Sequence, residues 1–240
     1  MGGEAPQGIK MGIYKAKPYF QGGRAKYKKI NDFRIIWYHK RKIYHPLKFT
    51  NFIMEQKLVD KYKLMDEDSF FRTLRRMALE IIENSNNLDY FILAGIRTRG
   101  VYLANYLKNE IEKELKTNVI VGEVDISFYR DDLTLLNEAP IVKETKLNTE
   151  IDNKVIFLID DVLYTGRTVR AAIDAIFDFG RPKAIKLVVL IDRGWRELPI
   201  YADIVGKKIT TTYDEVVKVK VKEVDGENAV YIAQKIWLKN

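Results

Sequence analysis

The sequence predicts an α/β fold in which a mostly parallel central sheet is flanked by helices and followed by a C-terminal β-hairpin. Three observations predict it. Largely apolar runs, continuous rather than alternating, recur at Tyr90–Ile96, Val155–Asp161 and Lys186–Asp192, as strands covered on both faces require. Helical patterns separate them, which is the βαβ order of a parallel sheet. Near the end, Val217, Val219 and Val221 alternate with Lys218, Lys220 and Lys222, Asp225-Gly226 supplies a turn, and Ala229–Trp237 returns, as a hairpin would.

Residues 1–53 mix Gly-rich and Lys/Tyr-rich stretches without a sustained period of 2 or 3.6, so they do not read as a core-forming unit. They hold 12 Lys and Arg against 2 Asp and Glu, a net +10, whereas residues 54–240 hold 29 against 31, a net −2, so the basic excess of the chain lies in its first quarter. Two readings of this segment stand. It is a disordered or loosely attached extension, or an artefact of start-site choice ahead of Met54; alternatively, its Lys and Arg interleaved with Tyr, Trp and Phe form a nucleic-acid arm. Residues 54–240 are then the folded domain.

From Asp66 the pattern turns helical. Phe70, Leu74, Met77, Ala78, Ile81 and Ile82 fall on one face behind an acidic first turn, and Arg72, Arg75 and Arg76 on the other. The run Tyr90–Ile96 leads through Arg97-Thr98-Arg99-Gly100 into a helical pattern from Val101 to about Lys116. Val119–Phe128 reads as a further strand, and Tyr129–Leu135 as a loop. Val155–Asp161, a helix over about Thr168–Phe179 closed by Gly180 and Pro182, and Lys186–Asp192 complete a βαβ unit.

Composition limits the chemistry. The chain has no Cys, which excludes a disulfide scaffold, a thiolate zinc site, an iron–sulfur cluster and a Cys nucleophile. Both histidines, His39 and His45, lie in the basic segment, so the remainder works with carboxylates, Arg and Lys, hydroxyls and backbone groups. No run approaches the roughly 18 apolar residues that span a bilayer, and the N-terminus lacks the apolar core of a secretory signal, so a cytoplasmic protein is expected.

In an open parallel sheet ligands gather where strands end, so the residues after each apolar run are the candidates. The most informative is Asp160-Asp161-Val162-Leu163-Tyr164-Thr165-Gly166-Arg167-Thr168. Two acids end a strand, and a short Thr-Gly turn leads straight into a helix whose N-terminal N–H groups and partial positive charge suit a phosphate. Thr-Gly alone is more often a plain turn, and Asp161 alone more often a cap; the whole string reverses that balance.

That string resembles the phosphoribosyl-pyrophosphate signature of the type I phosphoribosyltransferases. With GIRTRG, SFYRDDLT, LIDDVLYTGRTVRAAIDAIFDFGRP and DRGWRELPIYADIVGK, the chain is similar over about residues 57–238 to the bifunctional pyrimidine-operon attenuation regulator and uracil phosphoribosyltransferase family. The resemblance implies a type I phosphoribosyltransferase fold and the conversion of uracil and phosphoribosyl pyrophosphate into UMP and pyrophosphate with Mg²⁺. It implies that Asp160 and Asp161 hold the ribose hydroxyls, and through them or water the metal. Val162 and Leu163 would line the site, and Tyr164, Thr165, Gly166, Arg167 and Thr168 would wrap the 5′-phosphate. Arg97, Thr98, Arg99 and Gly100 would take the pyrophosphate. The stretch Ser127–Thr134, with Arg130 and Asp131 as catalytic candidates, would form a hood over the site. Asp192 and Arg193 would face the nucleobase and the pyrophosphate side.

The resemblance also implies UMP- or UTP-dependent binding to the leader of pyrimidine-operon messenger RNA and a homodimer or higher homo-oligomer; Arg72, Arg75 and Arg76 on one helix face, with Arg196 and Lys207, are the basic candidates for the RNA, although charged helix faces are usually just solvated. Leu79, Trp195 and Tyr201 depart from the family pattern, which tends to place His at the first two positions and a basic residue at the third. Trp195 reads either as a base-stacking or as an interface aromatic. The alternative function is a non-regulatory phosphoribosyltransferase for another nucleobase.

Overall fold

The computed structural model describes residues 19–21, 24–26, 54–85, 91–129 and 144–239. It divides into two units, Met1–Thr50 and Asn51–Asn240. In the first, β1 (Tyr19–Gln21) pairs antiparallel with β2 (Arg24–Lys26). The rest of the basic segment, expected to be disordered or loosely attached, lies outside the described residues.

Among the described residues of the second unit, a parallel sheet has the order β5-β4-β6-β7-β8. Its strands are β4 (Phe91–Ile96), β5 (Val121–Val124), β6 (Val155–Leu163), β7 (Ala184–Asp192) and β8 (Ile204–Lys208). Every pairing in this sheet is parallel. Register aligns the strand ends: Leu163 stands beside Asp192, and Asp192 beside Lys208.

Three helices cover the sheet. In α1 (Glu67–Ser85) the Asp66 carboxylate accepts the Ser69 N–H at 2.9 Å and so caps the first turn. The others are α2 (Arg99–Leu115) and α3 (Arg167–Phe177). The sheet buries both faces, which is why its strands are continuously apolar. On one side Phe157 and Ile159 meet Phe70 and Leu74 of α1 and Leu103 and Leu107 of α2. On the other, Ile156 and Leu158 meet Val169, Ala172 and Ile176 of α3.

The C-terminal expectation needs enlarging. The hairpin of β9 (Glu215–Lys220) and β10 (Ala229–Lys239) exists, but its connection contains one helical turn, α4 (Lys222–Asp225), rather than a bare Asp-Gly turn. A further strand, β3 (Met54–Met65), pairs antiparallel along β10 from Met54↔Lys239 to Met65↔Val230, making a sheet of order β3-β10-β9. Val219, Val230 and Ile232 of this sheet join the same core as α1 and α2. The strand expected over Val119–Phe128 is shorter, and the edge strand β8 was not expected. No helix among the described residues is long and apolar enough to cross a membrane.

Candidate active site

The strand ends bring the candidate residues together as the register requires. Asp160 and Asp161 lie in the last part of β6, where the apolar run gives way to carboxylates. Asp160 is buried, and its Oδ1 accepts the Asp161 N–H at 2.9 Å; Asp161 Oδ1 accepts the Val162 N–H at 2.8 Å. Burial pushes both carboxyls above the usual range, Asp160 strongly so with the neighbouring Asp161 charge adding to it. At Asp161 the Arg99 guanidinium opposes the push of burial.

After β6 the chain turns through Tyr164 and Thr165 into α3. Gly166 stands at the N-cap with φ +93, in the left-handed region that glycine enters without strain. It offers no side-chain cap, and the Thr165 hydroxyl accepts the Arg167 N–H at 3.3 Å, so the helix start is capped in part by the turn itself. The turn is tied down from the far side: Thr165 O accepts the N–H groups of Glu197 at 3.0 Å and Leu198 at 3.1 Å. Arg167 Nε donates to Glu197 Oε2 at 2.7 Å.

Opposite lies the Arg97-Thr98-Arg99-Gly100 turn between β4 and α2. Gly100 is there because of close approach. A Cβ on it would lie 2.4 Å from the Ile159 carbonyl oxygen, directly before the acid pair. Arg97 is ion-paired with Glu123 of β5, and its Nε is buried without a hydrogen-bond partner. Arg99 forks onto Asp225 of α4.

At the end of β7 the arrangement differs from expectation. Arg193 is buried rather than facing the open site: its guanidinium lies 4.0 Å from the Tyr164 ring centroid, Nε donates to Thr211 Oγ1 at 3.2 Å and Nη2 to Glu215 O at 2.8 Å. Burial holds its pKa below that of a free arginine. Arg193 therefore backs the turn after β6 through Tyr164. Asp192 accepts the Gly194 N–H at 3.0 Å and pairs with Arg196 at 2.5 Å.

Arg196, a candidate RNA contact, is engaged within the fold. Its guanidinium donates to the carbonyls of Ile200 at 2.9 Å, Tyr164 at 2.8 Å and Gly194 at 3.0 Å besides Asp192, so it braces the loop after β7. Arg72, Arg75 and Arg76 stay exposed on α1, as does Lys207 on β8. Arg75 is paired with Glu110 at 3.1 Å, and Arg76 reaches the Val205 carbonyl at 3.0 Å, which puts it beside the strand that carries Lys207. Trp195 is half exposed, donates Nε1 to Thr211 O at 2.9 Å and meets Tyr213 edge to face at 6.2 Å.

Arg130 and Asp131 lie outside the described residues, and described residues on either side of them are tied to the fold. Thr145 Oγ1 accepts the Asp125 N–H at 3.0 Å, Lys146 pairs with the Glu123 backbone, and the Tyr129 hydroxyl donates to Asp178 after α3. Sequence reasoning missed Glu123 and Asp225, the partners of the two loop arginines. Only the sequence Asp225-Gly226 gave any signal, and it was that of a turn.

No group of three or more His, Asp or Glu able to hold a metal occurs among the described residues. Two adjacent carboxylates at one strand end fit Mg²⁺ all the same, because this ion keeps most of its shell for water and phosphate oxygens and takes few protein ligands.

The comparisons agree with this geometry. A family model described as the phosphoribosyl transferase domain matches residues 63–224. The chain is 49% identical over 177 residues to the Bifunctional protein PyrR of Clostridioides difficile, covering 74% of this chain and 100% of that one. It is 51% identical over 176 residues to the protein of the same name from Acetivibrio thermocellus, covering 73% of this chain and 96% of that one. In fold it is similar to a hypoxanthine phosphoribosyltransferase of Staphylococcus aureus, with TM-score 0.55 and 23% identity over 73% of this chain and 92% of the other. That of Trypanosoma cruzi gives TM-score 0.57 and 16% identity over 74% of this chain and 98% of the other. The chain therefore belongs to the phosphoribosyl transferase domain family and, within it, to the family of the bifunctional PyrR proteins.

Proposed function

We propose that this chain transfers the phosphoribosyl group from phosphoribosyl pyrophosphate to uracil, giving UMP and pyrophosphate, and that it binds pyrimidine-operon leader RNA in a UMP- or UTP-dependent way. The observation that carries the enzymatic half is the continuity of Asp160 and Asp161 with the Thr165-Gly166-Arg167-Thr168 turn and the start of α3. Anion-holding and cation-holding groups thus stand a few residues apart.

In the reaction the bond from uracil N1 to the anomeric carbon forms, the bond from that carbon to the pyrophosphate oxygen breaks, and N1 loses its proton. Positive charge grows on the sugar and negative charge on the leaving group. Asp160 and Asp161 hold the ribose hydroxyls and offset the first, while Arg97 and Arg99 meet the second. The turn from Tyr164 to Thr168 holds the 5′-phosphate and fixes the sugar, and Arg193 keeps that turn in place behind Tyr164. Bound beside the acid pair, Mg²⁺ would neutralise phosphate charge. The roles of Arg130 and Asp131 rest on sequence alone. Incubation of the purified protein with phosphoribosyl pyrophosphate, Mg²⁺ and each common nucleobase should give product with uracil; turnover only with a purine or orotate would refute uracil as the base.

The regulatory half rests on the relatives and on the exposed basic residues Arg72, Arg75, Arg76 and Lys207. Linkage requires that RNA and UMP strengthen each other's binding by the same factor. Titration of labelled leader RNA with and without UMP, across a salt series, should show that factor; equal affinity for unrelated RNA would reject regulation.

Residues 54–240 are proposed to contain the transferase domain. The family match lies inside them, and β3 begins at Met54, so a chain starting there keeps the full β3–β10 register. It should melt and turn over like the longer chain, with weaker nonspecific nucleic-acid binding. Loss of folding or of transfer on this truncation would move the boundary.

A further inference from the structure

The connection between β9 and β10 reaches the Arg97-Thr98-Arg99-Gly100 turn through a carboxylate. Asp225, the last residue of α4, takes the Arg99 guanidinium as a fork, with Nε donating to Oδ2 at 3.0 Å and Nη2 to Oδ1 at 2.7 Å. Asp225 does not depend on Arg99 for its own place. Its Oδ2 also accepts the Val221 N–H at 3.0 Å, and the turn is docked on α2 separately, through the Tyr106 hydroxyl donating to Glu223 Oε2 at 2.5 Å. Asn228 ties the same turn to α1 through Glu67 at 3.1 Å. The carboxylate is therefore held by contacts other than the arginine.

An arginine presents five N–H groups in one plane. Asp225 engages the Nε–Nη2 edge and leaves the Nη1 side for another acceptor. A carboxylate behind a binding group usually orients it, and without that support a long side chain must be frozen by its ligand instead. Arg99 opens α2 in the turn between β4 and α2, and its charge is felt at Asp161.

We propose that Asp225 is a positioning residue for the pyrophosphate-binding arginine, holding the Arg99 guanidinium in the plane in which its remaining N–H groups meet the phosphates. The inference rests on the phosphoribosyl reading of the site. A latch, in which Asp225 withholds Arg99 from the ligand, predicts the opposite sign.

The test compares the full-length wild type with Asp225→Asn and with Glu223→Gln, which removes the acidic partner of Tyr106 in the same turn but not the Arg99 fork. Calorimetric binding of inorganic pyrophosphate with Mg²⁺ is the first readout, and KM for phosphoribosyl pyrophosphate against KM for uracil the second. Asp225→Asn should weaken pyrophosphate binding and raise the phosphoribosyl pyrophosphate KM about tenfold or more, leaving the uracil KM within about twofold. Glu223→Gln should stay near wild type in both. Unchanged or tighter pyrophosphate binding by Asp225→Asn would overturn the inference, as would an equal loss in Glu223→Gln. If Asp225→Asn melts below the assay temperature, both proteins are measured at a temperature at which the variant is folded, the same selective loss is expected, and near-wild-type binding there overturns the inference. A wild type that binds no pyrophosphate would sink the functional reading and this inference together, whereas equal binding by wild type and variant sinks the inference alone.

Discussion

Asp160→Asn should yield a protein that melts higher than the wild type and turns over about 10²–10³-fold more slowly. Both effects have one cause. The carboxylate sits at a buried strand end, where desolvation and the neighbouring Asp161 penalise its charge, and it is the group proposed to hold the ribose. Asn keeps an oxygen that can accept the Asp161 N–H, so the local hydrogen bond survives. The pH dependence fixes the sign. The folded-state pKa of Asp160 is raised above the unfolded value, so folding favours the protonated acid, and the wild type loses stability as pH climbs from the unfolded pKa toward the folded one. The gap in melting temperature between Asn variant and wild type should be absent below pH about 4 and open as pH rises. Asp161→Asn should lose activity similarly. Thermal melts across pH together with steady-state kinetics measure both effects, and a gap that closes on raising pH, or full activity in both variants, would contradict the assignment.

Gly100→Ala should damage fold and function together. The added methyl would meet the Ile159 carbonyl oxygen of the central strand at 2.4 Å, with the Asp160 Cα also within 3.5 Å. Neither is a flexible side chain that can swing away, so α2 and the arginine turn must shift from β6. Overpacking of this kind costs about 3 kcal/mol or more, which for a domain of this size lowers Tm by roughly 6–12 °C. The shift moves Arg97 and Arg99 relative to the acid pair, and a displacement of about 1 Å is enough to cost roughly 10²-fold in rate. Gly194 provides the contrast. It has φ +77 with nothing within 4 Å of a built Cβ, so Gly194→Ala should cost only the left-handed backbone, about 1–2 kcal/mol. Equal melting temperatures for the two variants would show that the close approach at Gly100 is not what fixes the arginine turn.

The parallel sheet and its helices were legible because each segment reports its own surroundings. Ile156 to Ile159 is apolar at every position since both faces are covered, and the spacing of Phe70, Leu74, Met77 and Ile81 matches the buried stripe of α1. β3 was not legible. Its sequence MEQKLVDKYKLM carries charge along a largely exposed strand, and it becomes a strand by pairing with β10, far away in the chain. The short β8 gave too few residues for a period. At the site, the acid pair and phosphate turn announced themselves because their chemistry is contiguous in sequence. The arginines did not declare their partners: nothing in the sequence distinguishes Arg193, buried against Tyr164, or Arg196, bonded to a ring of carbonyls, from the exposed Arg72. Composition tells that a cation is present, and only the fold tells what neutralises it.

The central claim is that the end of β6 and the start of α3 form the phosphoribosyl site. A crystal structure of the protein with UMP tests it most directly. The 5′-phosphate should lie on the backbone N–H groups and hydroxyls of the turn from Tyr164 to Thr168, with the ribose hydroxyls on the Asp160 and Asp161 carboxylates; UMP bound away from β6, or a phosphate seated elsewhere with the acid pair untouched, would contradict it.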